Sequence, residues 1–477
     1  MKEGVSKVKF IYTNDIHANI KNVPLLSSFI KSVKYSEETE GEKVIVLDAG
    51  DFLDDIVLEC YSTNGLSMAQ ILSNIPYDAI TLGNHDIGVS QLNNIAKLRE
   101  ALNIPLLGAN LYSADNNSLL NGVNSSIIIE LDSMKIGVIG ISYNFSERLF
   151  KALGGNIRDW KVVLHEEIKK LKSQGIGFIV LLSHLGLPTD LKIPEEFPDI
   201  NLIIGGHTHD LLEAPMKKKD TLILQAGEKL KHIGVLSVEI DNISGKTLKF
   251  ENKVILTEEL DADYFTLENI RNIQIQLTES LAYELGYCNS DDPSKEGCAH
   301  LIAKLMKQKT NVDIGMMNTG FLFTSLSTGE IKDQHLWDML PYALQPTVIN
   351  VRGEHLKEAI ELFLTQEVQN RRITDYEHKL GTMCFAGLKV VYDSSRDDGS
   401  KVINLELDKG DWDDNKKYSI VSNDFIAFGH PKLFPLRNSS EPVLEPYTIR
   451  DLLKEYIVKT RHLTLNTDYS TCKLENI

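Results

Sequence analysis

Val8-Lys-Phe-Ile-Tyr-Thr-Asn-Asp-Ile-His17 is a short apolar run that stops abruptly at two ligand-type side chains, Asp15 and His17. The same pattern returns four times in the first half of the chain. Val44-Ile-Val-Leu-Asp-Ala-Gly-Asp51 leads to Asp51, and Ala79-Ile-Thr-Leu-Gly-Asn-His-Asp86 leads to Asn84 and His85. Phe178-Ile-Val-Leu-Leu-Ser-His184 ends in His184, and Leu202-Ile-Ile-Gly-Gly-His-Thr-His209 ends in His207 and His209. Compact β-branched and aliphatic runs without polar alternation read as strands buried on both faces. A sixth run, residues 136–141, reads the same way but ends without a ligand. Helical periodicity lies between the strands, most clearly over Trp160–Ser173, with Val162, Val163, Ile168 and Leu171 on one stripe and Gly175 as its stop. Strands alternating with helices predict a layered α/β domain, whose sites form at the carboxyl ends of the strands.

Asp15, His17, Asp51, Asn84, His184, His207 and His209 together supply two carboxylates, an amide oxygen and four imidazoles. That number of donors suffices for two cations side by side. Oxygen and nitrogen donors without thiolate suit Mn, Zn, Fe or Co. Asp-x-His and His-x-His are expected to project both side chains to one side of an extended segment. Taken singly, each motif is weak: Asn-His-Asp is usually a turn, Ser-His after a strand a core or surface histidine, and Asp-x-His frequent by chance. As a set on one strand edge they would be costly to bury without a ligand.

The 477 residues favour two or three domains. The pattern predicts a first domain over 1–255, a linker helix and loop over 256–294, and a second α/β unit over 295–477. The linker helix is expected to run to about residue 285 and the loop to cover 287–297. Helices are expected near 300–308, 354–366 and 448–460. The formal net charge of −17 argues against nucleic acid or an anionic membrane as partner. No run approaches about 18 apolar residues, and the opening stretch has no apolar core of a signal peptide. Five cysteines without a CxxC pair fit reduced thiols. The expectation is a cytoplasmic protein.

The ordered motifs resemble the calcineurin-like metallophosphoesterases. Tyr12-Thr-Asn-Asp-Ile-His17 and Leu47-Asp-Ala-Gly-Asp51 are similar to the opening motifs of their 5′-nucleotidase branch, and Thr81-Leu-Gly-Asn-His85 and Ile204-Gly-Gly-His-Thr-His209 extend the likeness. The resemblance implies a four-layer α/β/β/α domain followed by a smaller α/β 5′-nucleotidase C-terminal domain. It implies one metal held by Asp15, His17 and His209, another by Asn84, His184 and His207, and Asp51 between them. Two such cations hydrolyse phosphate esters by activating a water for in-line attack. His85, next to a ligand, is the candidate donor to the substrate and general acid. Many 5′-nucleotidases carry an Asp three residues after this histidine; here that position is Gly88. His85 is therefore expected to lack a carboxylate partner, since Asp86 leaves the backbone in a different direction.

The likeness continues through Val312-Asp-Ile-Gly-Met-Met-Asn-Thr-Gly320, Ser327-Thr-Gly-Glu-Ile331, Met339-Leu-Pro-Tyr342, Phe385-Ala-Gly-Leu-Lys-Val-Val-Tyr-Asp393 and Val421-Ser-Asn-Asp-Phe425. By resemblance, Asn318 would touch substrate, and Phe385 and Phe434 would flank a nucleobase. The position of the family's phosphate-holding arginine is Phe323, and its late glycine-rich segment is replaced by Gly429-His-Pro-Lys432. The expected activity is two-metal hydrolysis of a small phosphorylated substrate, a nucleotide first. A phosphodiesterase or pyrophosphatase acting on nucleotide sugars, cyclic nucleotides or another phosphoester is the alternative. A weakly catalytic nucleotide-binding protein is a third reading, disfavoured by seven retained ligand-type residues.

Overall fold

The computed structural model describes residues 4–40, 42–54, 56–115, 118–143, 147–291, 293–371, 379–428, 434–465 and 471–473. Two compact units divide at residues 277 and 278.

The first unit is built on two sheets. One runs in the order Thr247–Leu256, His232–Asp241, Val5–Thr13, Lys43–Asp48, Ala79–Thr81, Leu106–Leu107, Val123–Asn124. The other runs Met216–Lys218, Thr221–Leu224, Leu202–Gly205, Phe178–Ser183, Lys135–Ile141, Ser126–Glu130. Alternate residues of each central strand serve different layers. Val8, Phe10, Tyr12, Ile136, Val138, Phe178, Val180 and Leu182 fill the space between the sheets, with Phe10 and Phe178 stacked at 6.2 Å. Ile139, Ile141, Ile179 and Leu181 point the other way, onto Val163, Leu164, Ile168 and Leu171 of helix Trp160–Ser173. Helix Val23–Glu40 packs on strand Lys43–Asp48 of the first sheet, burying Val23, Leu26 and Ile30. The layers are therefore α/β/β/α, and burial on both faces is why these strands read as unbroken apolar runs. Val162, placed on the helix stripe from sequence, is instead 50% exposed. The Asp159 side chain caps this helix by accepting from the backbone N–H of Lys161 and Val162.

Register puts the polar residues on one edge. Tyr12 pairs with Leu47 and Thr13 with Asp48 in parallel, and Asp48 pairs with Ile80. In the other sheet Ser183 pairs with both Gly205 and Ile141. The segments carrying Asp15, Asp51, Asn84, His184 and His207 all follow these aligned ends.

The helix Tyr264–Leu281 ends earlier than the sequence suggests. The second unit has a five-stranded sheet in the order Met383–Ala386, Ile314–Asn318, Lys417–Asn423, Pro346–Arg352, Val443–Leu444. Helices Lys295–Thr310, Gly353–Phe363 and Ile449–Thr460 accompany it. Part of the segment expected as loop over 287–297 is ordered otherwise. Tyr287 and Cys288 close the strand Glu284–Cys288, and the helix begins at Lys295 because Ser294 accepts from the Gly297 N–H. Cys60, Cys288, Cys298 and Cys384 are free thiols. Among the described residues no helix is long and apolar enough to cross a membrane.

Candidate metal centre

The donors gather because the chain turns sharply after each strand. Asp15, His17, Asp51, His207 and His209 all have positive φ, between 46° and 75°. The side chains of Asp-x-His and His-x-His are thus aimed by left-handed turns, not by an extended segment as the spacing suggested. Such backbone is unfavourable for non-glycine residues and persists where the surroundings enforce it. The enforcing bonds are Asp15 N–H to Gly50 O (2.8 Å), His17 N–H to Asp51 O (2.9 Å) and Ala18 N–H to Phe52 O (3.0 Å). Two glycines permit the close approach. A Cβ on Gly83 would stand 2.1 Å from Asp51 Oδ1, and one on Gly206 would stand 3.0 Å from His184 Nδ1 and 3.1 Å from Asp15 Oδ2.

Two donor groups result. In the first, Asp15, His17 and His209 hold ligand atoms within 4.8 Å of one another; His17 Nε2 is 3.1 Å from His209 Nε2, and Asp15 Oδ1 is 3.4 Å from His209 Nε2. In the second, Asp51, His184 and His207 do the same. His184 Nε2 lies 3.0 Å from Asp51 Oδ2, and Asn84 Oδ1 lies 3.0 Å from His207 Nδ1. Asp15 Oδ1 is also 4.0 Å from His184 Nε2, so the groups adjoin. The His85 backbone N–H donates to Asp51 Oδ1 at 2.7 Å.

The electrostatics ask for cations. Asp15, Asp51 and His184 are almost wholly buried. Burial works to raise the Asp51 carboxyl, but His184, His85 and His17 overcome it and hold it well below the usual carboxylate range. Burial works to lower His184, yet the Asp51 charge, with Asp15, pushes it up to about 10. His184 Nδ1 is committed to the Ala49 carbonyl at 2.7 Å. Its Nε2 is buried without a hydrogen-bond partner. A ring fixed through Nδ1, with its other nitrogen turned on a carboxylate, is the arrangement of a metal-ligating histidine. The donor set therefore fits divalent ions.

Residues outside the expected ligand set complete the centre. Asp86 does not turn to His85. It accepts from the N–H groups of Asp51 (2.8 Å), Gly83 (2.8 Å) and Leu53 (2.9 Å), tying two ligand loops together. Asn14 donates to Asp15 Oδ2 and to Gly227 O, each at 2.6 Å. Tyr143, beyond the strand Lys135–Ile141 that was read as ending without a ligand, lies against His207 with ring centres 4.3 Å apart. Asp54 Oδ2 stands 3.3 Å from His17 Nδ1, and Asp54, His17 and His85 hold donor atoms within 4.8 Å of one another. Position 88 supplies no carboxylate to His85, and the carboxylate that comes near it is Asp54, from the Asp51 loop. Gly88 is exposed, and a Cβ there would meet nothing within 4 Å. No local signal marked Asp54, since only the folded loop carries it back toward His17.

In the second unit the expected substrate residues are placed differently. Asn318 is fully buried; its amide donates to Leu380 O at 2.8 Å and accepts from Asn423 Nδ2 at 2.9 Å. Phe385 is 2% exposed and belongs to the core with Ile314, Met316 and Ile420. Neither presents a surface to a ligand, because both sit on or beside central strands. Phe434 begins a short 3-10 helix, Phe434–Asn438; its side chain lies outside the described residues, as does the segment 429–433. Phe323 is half-buried, its ring edge-to-face with Tyr342 at 5.4 Å. Phe321 meets Tyr342 at 5.8 Å and Phe425 at 5.3 Å.

Fold and donor set define a metallophosphoesterase. Residues 8–211 match the family model for calcineurin-like phosphoesterases, and residues 278–436 match that for the 5′-nucleotidase C-terminal domain. The chain belongs to the two-domain, 5′-nucleotidase family of calcineurin-like phosphoesterases and is a hydrolase. It is 27% identical to an uncharacterized metallophosphoesterase, YunD, of Bacillus subtilis (strain 168), over 95% of this chain and 99% of that protein. It is 23% identical to the snake venom 5′-nucleotidase of Crotalus adamanteus, over 85% of this chain and 76% of that one. In fold it is similar to a putative 5′-nucleotidase of Staphylococcus aureus, with a TM-score of 0.67 and 19% identity over 95% and 96% of the two chains.

Proposed function

We propose that the protein hydrolyses nucleotides, nucleoside monophosphates first, at a centre of two divalent cations drawn from Mn, Zn, Fe and Co. The observation that carries this reading is the pair of adjoining donor groups, Asp15–His17–His209 and Asp51–His184–His207, with His184 Nε2 facing Asp51 Oδ2 at 3.0 Å. Two bound cations would supply an activated water and charge neutralisation for in-line attack on phosphorus. The chain's own residues do the rest. Asp51 and Asp15 bring negative charge to a buried site. The Ala49 carbonyl holds the His184 tautomer, and Asp86 keeps the Asp51 and Gly83 loops in register. His85, half-buried beside the cluster, donates to the phosphoryl or leaving oxygen.

A second reading has an observation of its own. Where the family carries an arginine, Phe323 packs on Tyr342, and a phenyl ring cannot replace a bidentate guanidinium. A phosphodiester or pyrophosphate linkage presents less charge per phosphorus than a monoester dianion and depends less on that contact. Assays with manganese should use p-nitrophenyl phosphate, its bis ester, nucleoside monophosphates, a nucleotide sugar and a cyclic dinucleotide. Turnover should disappear with EDTA and return with metal. Turnover that survives complete chelation would sink both readings, and a preference for the diesters would favour the second.

A further inference from the structure

We propose that Asp54 is a positioning residue that braces two imidazoles at once, His17 on the metal side and His85 on the leaving-group side. The His85 half rests on the proton-donor reading above; the His17 half does not.

Asp54 lies three residues past Asp51 and is 1% exposed. Its Oδ1 accepts from the Ile56 N–H at 2.9 Å, and its own N–H reaches Cys60 Sγ at 3.5 Å, so the carboxylate is fixed by its own loop. Its Oδ2 is 3.3 Å from His17 Nδ1. The other nitrogen of that ring faces the opposite way, 3.1 Å from His209 Nε2 and 3.9 Å from Asp15 Oδ1. Asp54 therefore stands behind His17 as seen from the first donor group. A carboxylate in that place holds Nδ1–H and leaves the Nε2 lone pair for a cation.

The same carboxylate faces His85. Its oxygen, a His17 nitrogen and a His85 nitrogen lie within 4.8 Å of one another, and the two rings meet edge-to-face at 4.8 Å. A donor histidine needs its second nitrogen held so that the first points at the leaving oxygen. One buried oxygen pair thus sets two ring orientations, and a change at Asp54 is felt in metal affinity and in proton donation together.

Asp54→Asn and Asp54→Ser separate these effects from folding. Manganese titration of the metal-free protein, followed by calorimetry or electron paramagnetic resonance, should show affinity about 10- to 100-fold weaker at one site. At saturating manganese, turnover of an alkyl phosphate should fall about 100-fold, against less than about 10-fold for p-nitrophenyl phosphate, whose leaving group needs no proton. His85→Gln, run in parallel, should show the same leaving-group bias. If both Asp54 variants keep wild-type manganese affinity and lose both substrates equally, the proposal is overturned. If His85→Gln shows no bias, the proton-donor reading fails and the His85 half falls with it; manganese affinity then decides the His17 half. A third manganese equivalent in the wild type that is lost in Asp54→Asn, with the other two unchanged, would make Asp54 a ligand and also overturn the proposal.

Discussion

Both units bury polar side chains where central strands end, and they resolve the burial in opposite ways. In the second unit, Asn318 and Asn423 close on each other and on nearby backbone: Asn423 donates to Asn318, Asn318 donates to Leu380 O, and Asn423 Oδ1 accepts from the Ile426 N–H. In the first unit, Asp15, Asp51, His17, His184 and His209 crowd together, with His184 Nε2 buried and lacking a hydrogen-bond partner. Polar groups that satisfy one another make a fold rigid; polar groups that converge and remain unsatisfied have been kept for something that binds between them. Burial at a strand end is therefore not by itself a site. The deciding feature is whether the donors and acceptors balance.

The contrast can be broken most forcefully at Asp51. Asp51→Asn removes the charge that faces His184, so turnover should drop by about 1,000-fold or more and metal content should fall; a variant retaining both would place the metals elsewhere. Phe385→Ala comes next, as a stability change of about 3–5 kcal/mol in urea unfolding with KM nearly unchanged. A large rise in KM without loss of stability would return Phe385 to the substrate site. Asn318→Ala should cost about 1–3 kcal/mol, since Asn423 Nδ2 and the Leu380 carbonyl lose their partner, again with kcat preserved.

The smallest expected effect concerns Asp190. It is fully buried, accepts from Ser183 Oγ–H at 2.5 Å, and burial pushes its carboxyl up to about 7. A pKa raised in the folded state contributes stability that is fully present below the unfolded value near 4 and lost as pH rises through 7. Thermal melts of the metal-free protein should show Asp190→Asn gaining on the wild type by a few degrees between pH 5 and pH 8. A pH-independent difference would mean that Asp190 is kept for shape and not for its proton.

Much of the first unit was legible in the chain. Apolar runs ending in Asp, Asn or His require only local reading, because double-sided burial forbids polar alternation within a central strand. The partners of those residues were less accessible. Asp54 and Tyr143 lie in no motif, and Asp86 reads as a poor substitute for a missing partner. Each owes its role to an approach between segments far apart in sequence: Asp54 to His17, Asp86 to Asp51, and Tyr143 to His207. In the second unit, motif position suggested substrate contact for Asn318 and Phe385, while the sheet buries both. Whether a residue on a strand faces core or ligand depends on what packs over it.

The amino-acid order by itself determined the alternating strands and helices, the polarity at the strand ends, and the donor chemistry of the centre, because these follow from side-chain periodicity and residue type. Only the tertiary structure decided that the donors are aimed by left-handed turns, that Asp54 takes a place beside His85 where Gly88 has no side chain, and that the amides of the second unit consume their own hydrogen bonds. Those outcomes depend on distances between segments as far apart as Asp15 and His207, which no local pattern encodes.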